Sequence, residues 1–295
     1  FAGKYLSASL LSGNTLAQGG VTIKPNIAFK EVMKKVATDD ILKDGTCDFD
    51  PTSTLTLTER ILQPEEFQVN LQLCKKDFVS DFESAEMGFS AYKNLPPSFA
   101  DFLIAHVAEK VAQRIETNIW AGTNATSGQF DGFTTLFAAD SDVLDVTSTA
   151  AVTASNVIDK IGSTVDLIPS TIKPQDDLHI YVSSNVFYAY VRALGGFASS
   201  GTGANGVNNQ GTLWYNQGNL TFDGIKIFLA QGLGDNKMVA AQKSNLFFGT
   251  GLLNDSNLVK VIDMADIDGS QNVRVVMRMT AGIQFGIGGD IVLYN

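Results

Sequence analysis

The sequence predicts a mixed α+β fold organised around one long helix. Apolar and polar residues alternate strictly over residues 67–74, which is typical of a strand with one buried face. Apolar residues then recur every three or four positions over residues 98–121, which is typical of an amphipathic helix. The last third of the chain is mostly short apolar runs separated by turn residues. At 295 residues the chain is long enough to bury a sizeable core.

The first 25 residues form the first distinct segment. They carry Ser, Gly, Asn and Gln among scattered apolar residues, with no sustained period. Such a segment cannot form a core of its own. We therefore expect an N-terminal arm that is loose or lies on a neighbouring chain.

Two period-two runs follow, separated by a turn at residues 63–66 that contains Pro64. We predict that they pair with each other as a long β-hairpin. A lone two-stranded hairpin is marginally stable in water, so its apolar face needs another surface, and a second subunit can provide it. The predicted inter-subunit contact residues are Leu55, Leu57, Phe67, Val69, Leu71 and Leu73.

The long helix is predicted over residues 98–121. Ser98 can cap its start, with Asp101 three residues later as in a capping box. Gly122 follows the last apolar residues and supplies a stop. At 1.5 Å per residue the helix is a rod of about 36 Å.

The second half of the chain predicts alternating short elements. Helices are expected over residues 153–168 and 184–194, with a buried strand over 179–182 between them. The Gly-, Ser- and Asn-rich stretch 195–211 predicts a surface loop. Strands are expected at residues 220–230, 237–242, 246–249, 258–263, 273–284 and 291–294.

No residue pattern predicts catalysis, a cofactor or a metal site. The two histidines, His106 and His179, stand without nucleophile partners in sequence and are interpreted as structural. The acidic segment 263–269 fails as a calcium loop because Val275 stands where a Glu is required, so we expect a turn between strands. Cys47 and Cys74 are too few for a disulfide scaffold; a reduced pair is the simpler interpretation, and a cross-link stays open.

The charge of the chain argues against a dedicated nucleic-acid binder. The formal net charge is −10, whereas phosphate neutralisation by basic residues supplies most of the affinity of such proteins. Weak, non-specific contact with DNA remains compatible with a container. The basic pairs 34–35 and 75–76 are expected to be solvated, or to face acidic residues of a neighbouring chain. No apolar run is long enough to span a membrane.

The order of arm, hairpin, long helix and mixed α/β half resembles the Hong Kong 97-type capsid fold of tailed phages. The stretches 73–78, 97–103 and 111–122 resemble the spine-helix region of major capsid proteins from crAss-like and other Bacteroidetes-infecting phages. The resemblance implies five regions. These are an N-arm over 1–25, an E-loop region with a long β-hairpin over 26–78, a P-domain over 79–140 with spine helix 98–121, an A-domain over 141–257, and a return to P-domain strands over 258–295.

The resemblance also implies a function. The chain would be a non-enzymatic major capsid protein of the virion, assembled in the host bacterial cytoplasm. Its hexamers and pentamers would tile an icosahedral shell around double-stranded DNA. Its partners would be neighbouring subunits, with decoration, portal and scaffold proteins also implied. The hairpin over 43–77 would reach across an adjacent subunit, and the loop 195–211 would lie near the capsomer centre. Two alternatives stay open: an encapsulin-like compartment, and a carbohydrate-active hydrolase with paired carboxylates.

Overall fold

A computed structural model describes residues 14–38, 55–78, 97–147, 150–195, 220–251 and 259–295, with four single positions between 42 and 47. The described helices are α1 (Asn14–Ala17), α2 (Pro97–Ala121), α3 (Phe133–Ala138), α4 (Val157–Asp166), α5 (Ser184–Gly195) and α6 (Ala265–Asp268). The described strands are β1 (Thr22–Lys24), β2 (Glu31–Thr38), β3 (Leu55–Leu62), β4 (Glu65–Cys74), β5 (Leu144–Val146), β6 (Leu178–Val182), β7 (Thr221–Phe222), β8 (Ile225–Leu229), β9 (Met238–Gln242), β10 (Leu246–Gly249), β11 (Lys260–Asp263), β12 (Asn272–Phe285) and β13 (Val292–Tyr294).

The first core lies between α2 and a five-stranded sheet. Strand β12 is the centre of that sheet, with β10 and β11 along one side and β4 along the other. The apolar stripe of α2 ends in Ile119 and Trp120, both fully buried against this sheet. The helix predicted at 98–121 is therefore confirmed, because its three-and-four spacing matches one long buried face.

The second core fills the other half of the chain. A six-stranded sheet runs in the order β5-β13-β9-β6-β8-β7, and helices α4 and α5 cover one face. In β6, Ile180 and Val182 belong to this second core, whereas Tyr181 belongs to the first. Because both faces of β6 are buried, four of its five residues are hydrophobic and no alternation is seen. The expected strand at 179–182 is thus confirmed.

The predicted pairing of the two period-two runs is wrong. Strand β3 pairs with β2, from Glu31–Leu62 to Thr38–Leu55, and β4 pairs with β12 along its whole length. A β-hairpin is present, but it is formed by β2 and β3. Strand β2 was not expected because Glu31 and the two lysines 34 and 35 interrupt its apolar pattern. Alternation predicts which face of a strand is buried and leaves its pairing partner undefined.

The described part of the N-terminal arm packs on its own chain. Thr15 and Leu16 of α1 are buried, and β1 adds in parallel to β10. Glu116 of α2 accepts hydrogen bonds from the Thr15 backbone N–H at 3.0 Å and from its hydroxyl, and Trp120 Nε1 donates to the Thr15 hydroxyl at 2.7 Å. The prediction of a loose arm over 1–25 is therefore wrong for residues 14–24. Residues 1–13, and most of the predicted loop 195–211, lie outside the described residues.

The prediction that the basic pairs are solvated needs correction at Lys75. Its side chain is buried and forms an ion pair with Asp263. Lys34 and Lys76 are exposed as expected, and the Lys34 ammonium lies 3.4 Å from the Glu59 carboxylate of its own hairpin. Lys75 and Asp263 are far apart in sequence, and Lys34 and Glu59 lie on separate strands. Sequence spacing therefore predicts neither ion pair.

The remaining predicted elements differ mainly in their bounds, but the single strand expected over 220–230 is wrong, because β7 and β8 form a hairpin there. The turn between β7 and β8 is Asp223–Gly224, and both residues have positive φ (48° and 83°), as a two-residue hairpin turn requires. Helix α4 starts at Val157 rather than at 153, because Thr153–Asn156 forms a turn in which Thr153 N–H donates to the Asn156 side chain. No helix among the described residues is long and apolar enough to cross a membrane.

Candidate inter-subunit surface

The β2–β3 hairpin is a two-stranded ribbon that pairs with no other described strand. Directly opposed residues of the two strands share a face, and successive residues along each strand point to opposite faces. The ribbon therefore has two faces, and their environments differ. We call the side that contains Leu62 the inner face and the side that contains Ile61 the outer face. The inner face meets the body of the protein, whereas the outer face is open to solvent.

The inner face holds the base of the ribbon firmly. Leu62 is fully buried, and Arg60 packs over the Phe285 ring, with its guanidinium 4.1 Å from the ring centroid. Arg60 also forms an ion pair with Asp140. Partial burial acts to raise the pKa of Asp140, but hydrogen bonds from the Asp142 N–H and from Arg60 outweigh it, so the pKa lies below its ordinary value. The ribbon is therefore fixed at its base.

The outer face of the ribbon is apolar and exposed. Val32 and Ile61 stand opposite each other and are 41% and 46% exposed. The Lys34–Glu59 pair comes next, followed by Leu57, which is 54% exposed. Fully burying one such side chain contributes about 1.5–3 kcal/mol. Burial of this face against another surface would therefore stabilise the contact between them, and it would require no change in the subunit.

Exposed apolar residues concentrate at the ribbon and its base. Among the described residues, eleven large hydrophobic side chains are exposed, and six of them fall between residues 23 and 61. Phe29, just before β2, is the one aromatic residue of the six and is 69% exposed. Exposed apolar residues concentrated in one part of a subunit are typical of an interaction site. The six are Ile23, Phe29, Val32, Leu42, Leu57 and Ile61.

The structure divides the predicted contact residues into two groups. Phe67, Val69 and Leu73 on β4 pack against the first core of their own chain, and the Phe67 ring lies 5.9 Å from that of Phe130. These three side chains are therefore partly buried within the subunit, and their alternation follows from that packing. Their contact with another subunit remains a prediction.

Two of the other predicted contact residues are exposed. Leu57 lies on the outer face of the ribbon, and Leu71 on β4 is 43% exposed. Leu55 holds the register position opposite Thr38 at the far end of the ribbon. Their contact with another subunit remains a prediction. Val32 and Ile61 were missed, because the sequence shows their exposure only once β2 is known to pair with β3.

The candidate chemical residues have structural surroundings. His179 Nδ1 lies 2.8 Å from the Asp177 carbonyl oxygen, and its ring stands near those of Tyr181 and Phe228. His106 lies on the exposed side of α2. The acidic segment 263–269 connects β11 to β12, as expected, through the short helix α6 and Gly269 with φ of 71°. Within the described part of the chain, no cluster of His, Cys, Asp and Glu is arranged to hold a metal ion.

The cysteines are free in this structure. Cys47 is exposed and Cys74, at the end of β4, is partly buried. The reduced state of the pair stays a prediction.

Comparison with known proteins finds the fold rather than a close relative. No protein-family model and no curated protein matches the sequence. The capsid of the native GTA particle is 13% identical with a TM-score of 0.62, over 98% of this chain and 89% of that one. The satellite phage P4 procapsid is 9% identical with a TM-score of 0.57, over 98% and 96%. The virus-like particle from Pyrococcus furiosus is 7% identical with a TM-score of 0.55, over 99% and 96%. The chain therefore has, along nearly its whole length, the mixed helix-and-sheet fold found in phage capsids and related particles.

Proposed function

We propose that the chain is a shell-forming subunit, the major capsid protein of a tailed phage. The main observation in favour of the proposal is the apolar outer face of the β2–β3 ribbon, which is exposed in the single subunit. The shared fold with the GTA capsid and the P4 procapsid, over nearly the full length of each chain, supports it. A subunit that needs neighbours to cover its surface is what a repeating shell requires.

The finer proposal is a Hong Kong 97-type shell of hexamers and pentamers that encloses double-stranded DNA. The N-arm, E-loop, P-domain and A-domain regions that the resemblance implies fit the two cores. The ribbon over residues 31–62 takes the E-loop role, in place of the predicted hairpin over 43–77. Helix α2 takes the role of the spine helix. Relationship to crAss-like phages, assembly in the bacterial cytoplasm, and binding of decoration, portal and scaffold proteins belong to the same proposal.

Particle formation by the expressed chain tests the proposal. Analytical ultracentrifugation should show capsomers or larger particles, and negative-stain electron microscopy should show closed shells. The expected driving force is burial of the ribbon's outer face, repeated in every copy. A stable monomer at high protein concentration, with residues 31–62 accessible to protease, would contradict it.

A second candidate is a protein compartment that packages another protein. The likeness to the virus-like particle from Pyrococcus furiosus over 99% of this chain favours it as the runner-up. The contents of purified native particles distinguish the two functions. Double-stranded DNA of one length supports the capsid, whereas a co-purified enzyme in place of nucleic acid supports the compartment. The carbohydrate-active hydrolase gains no support from these three particle structures.

A further inference from the structure

A groove lies between the ribbon and the body of the subunit, just beyond the C-terminal end of β12. Its volume is about 530 Å³, and its lining includes apolar Met33 and Phe247 together with Lys24, Lys35 and Arg60. An apolar floor edged by cations suits a ligand surface with an apolar centre and flanking carboxylates.

Most cations around the groove already have partners. Lys24 pairs with Glu31, and Arg60 pairs with Asp140. Lys35 also lines the groove but forms no ion pair with any residue in the described ranges. The charge of Lys35 also acts on Asp140, but no ion pair within the described ranges holds it, so the groove offers a cation beside its apolar floor.

The complementary feature is α6, at the opposite end of β12. Ile267 is 67% exposed at its tip, and Asp266 and Asp268 flank it in exposed positions. Asp268 accepts a hydrogen bond from the Ser270 N–H at 2.9 Å; that bonding, with Arg274 nearby, lowers the Asp268 pKa. Asp266 forms no ion pair within the part of the chain that the structure describes. The tip is thus an apolar side chain between two carboxylates.

The two features cannot meet within one chain. Strand β12 has 14 residues and joins them, and an extended strand of that length spans about 45 Å. A contact between them must use two copies of the chain. Such a contact joins two different surfaces, one from each subunit. When it is repeated from subunit to subunit, it closes into a ring if the rotation between neighbours allows.

We propose that the α6 tip of one subunit docks in the ribbon groove of the next. Ile267 meets the apolar floor at Met33 and Phe247, and Asp266 faces Lys35. This inference rests on the proposed shell function and deepens it, because it assigns two surfaces that meet from one copy to the next. The carboxylates select the orientation, and the apolar tip supplies the buried contact.

Charge reversal tests the contact. Lys35→Glu and Asp266→Lys, each alone, place like charges together, and each should lower particle yield about tenfold in low salt. The double variant Lys35→Glu/Asp266→Lys reverses both sides of the same contact, so its yield should return to within about twofold of the unaltered chain. Lys173→Glu and Asp166→Lys make the same charge changes at exposed positions elsewhere and should leave the yield unchanged. Circular dichroism checks that every variant is folded.

The outcomes separate this contact from the function on which it rests. Normal yields from both single variants, or failure of the folded double variant to recover, would overturn the contact while the shell function stands. Absence of any assembly by the unaltered chain would overturn the proposed function and the contact with it. Loss in both single variants with recovery in the double variant supports the contact, because no other pairing predicts mutual rescue.

Discussion

Glu116 is a carboxylate buried in the first core, where α2 meets the N-terminal segment. Burial raises its pKa, and hydrogen bonds from Thr15 and from the Gly232 N–H oppose that rise only in part. Three donors converge on it, namely the Thr15 N–H, the Thr15 hydroxyl and the Gly232 N–H, and they satisfy its oxygens away from water. This side chain therefore joins Thr15 of α1 to α2.

Glu116 should make the stability of the subunit depend on pH. Because its folded pKa lies above the ordinary 4.5, the folded state binds the proton more tightly than the unfolded state does. The stability from this group is fully present below pH 4.5 and is lost as the pH rises through the raised folded pKa. The melting temperature of the unaltered chain relative to Glu116→Gln should fall over that window. A difference that is flat from about pH 4 to about pH 8 would contradict the assignment.

Gly232 is required by the close approach of its loop to α2. A methyl group there would overlap the backbone carbonyl of Glu116, where the helix backbone cannot give way. Gly232→Ala should therefore destabilise the subunit by about 2 kcal/mol, measured by urea unfolding. A methyl group added at Gly45 would have no other atom within 4 Å, so Gly45→Ala is the matched control. It should change the free energy of unfolding by no more than about 0.5 kcal/mol. Equal effects of the two changes would show that the overlap is relieved.

At the scale of elements, local patterns were sufficient for helices and for buried faces. Helix α2 could be predicted because its repeat, cap and stop agree with one another. Strand β4 could be predicted as a strand, but its pairing with β12 joins residues about 200 positions apart, such as Leu73 and Val273. Sequence alternation contains no information on that partner. The ribbon was misassigned for the same reason.

The two strands of the wrongly predicted hairpin make a direct comparison. Val69 on β4 packs against the core of its own chain and stands opposite fully buried Met277. Val69→Asp should therefore destabilise the subunit itself by about 3 kcal/mol, because a charge enters the core. Leu57→Asp alters an exposed side chain on the outer face, so it should leave the fold intact while reducing particle formation.

Thermal unfolding by circular dichroism and particle counts by electron microscopy measure the two effects. Leu57→Ser serves as the control that removes the apolar side chain without adding a charge. Particles in normal yield from folded Leu57→Asp would mean that the outer face of the ribbon is not covered in the shell. An unchanged melting temperature for Val69→Asp would mean that β4 does not bury its apolar side as described.

At the scale of the whole molecule, the subunit has two cores that share the six-stranded sheet. Tyr181 and Val239 point to one core, while Ile180 and Met238 point to the other. This sharing could not be predicted from separate segments, because a continuously apolar strand gives no sign of which layer lies on each side. The candidate surface was harder still. Its residues can be identified only from the structure, as the apolar side chains that remain exposed once the contacts within the subunit are known.

The net charge of the molecule governs its behaviour toward DNA. With 21 basic and 31 acidic residues, the chain has no surplus of cations to displace the counterions around phosphates. The cations of the ribbon groove are mostly paired with carboxylates of their own chain, so they add little to phosphate affinity. The chain should show no electrophoretic shift of double-stranded DNA at nanomolar protein in about 150 mM salt, although specific binders reach that range. A shift under those conditions would contradict this expectation. Weak contact instead suits a shell that encloses its contents without adhering to them.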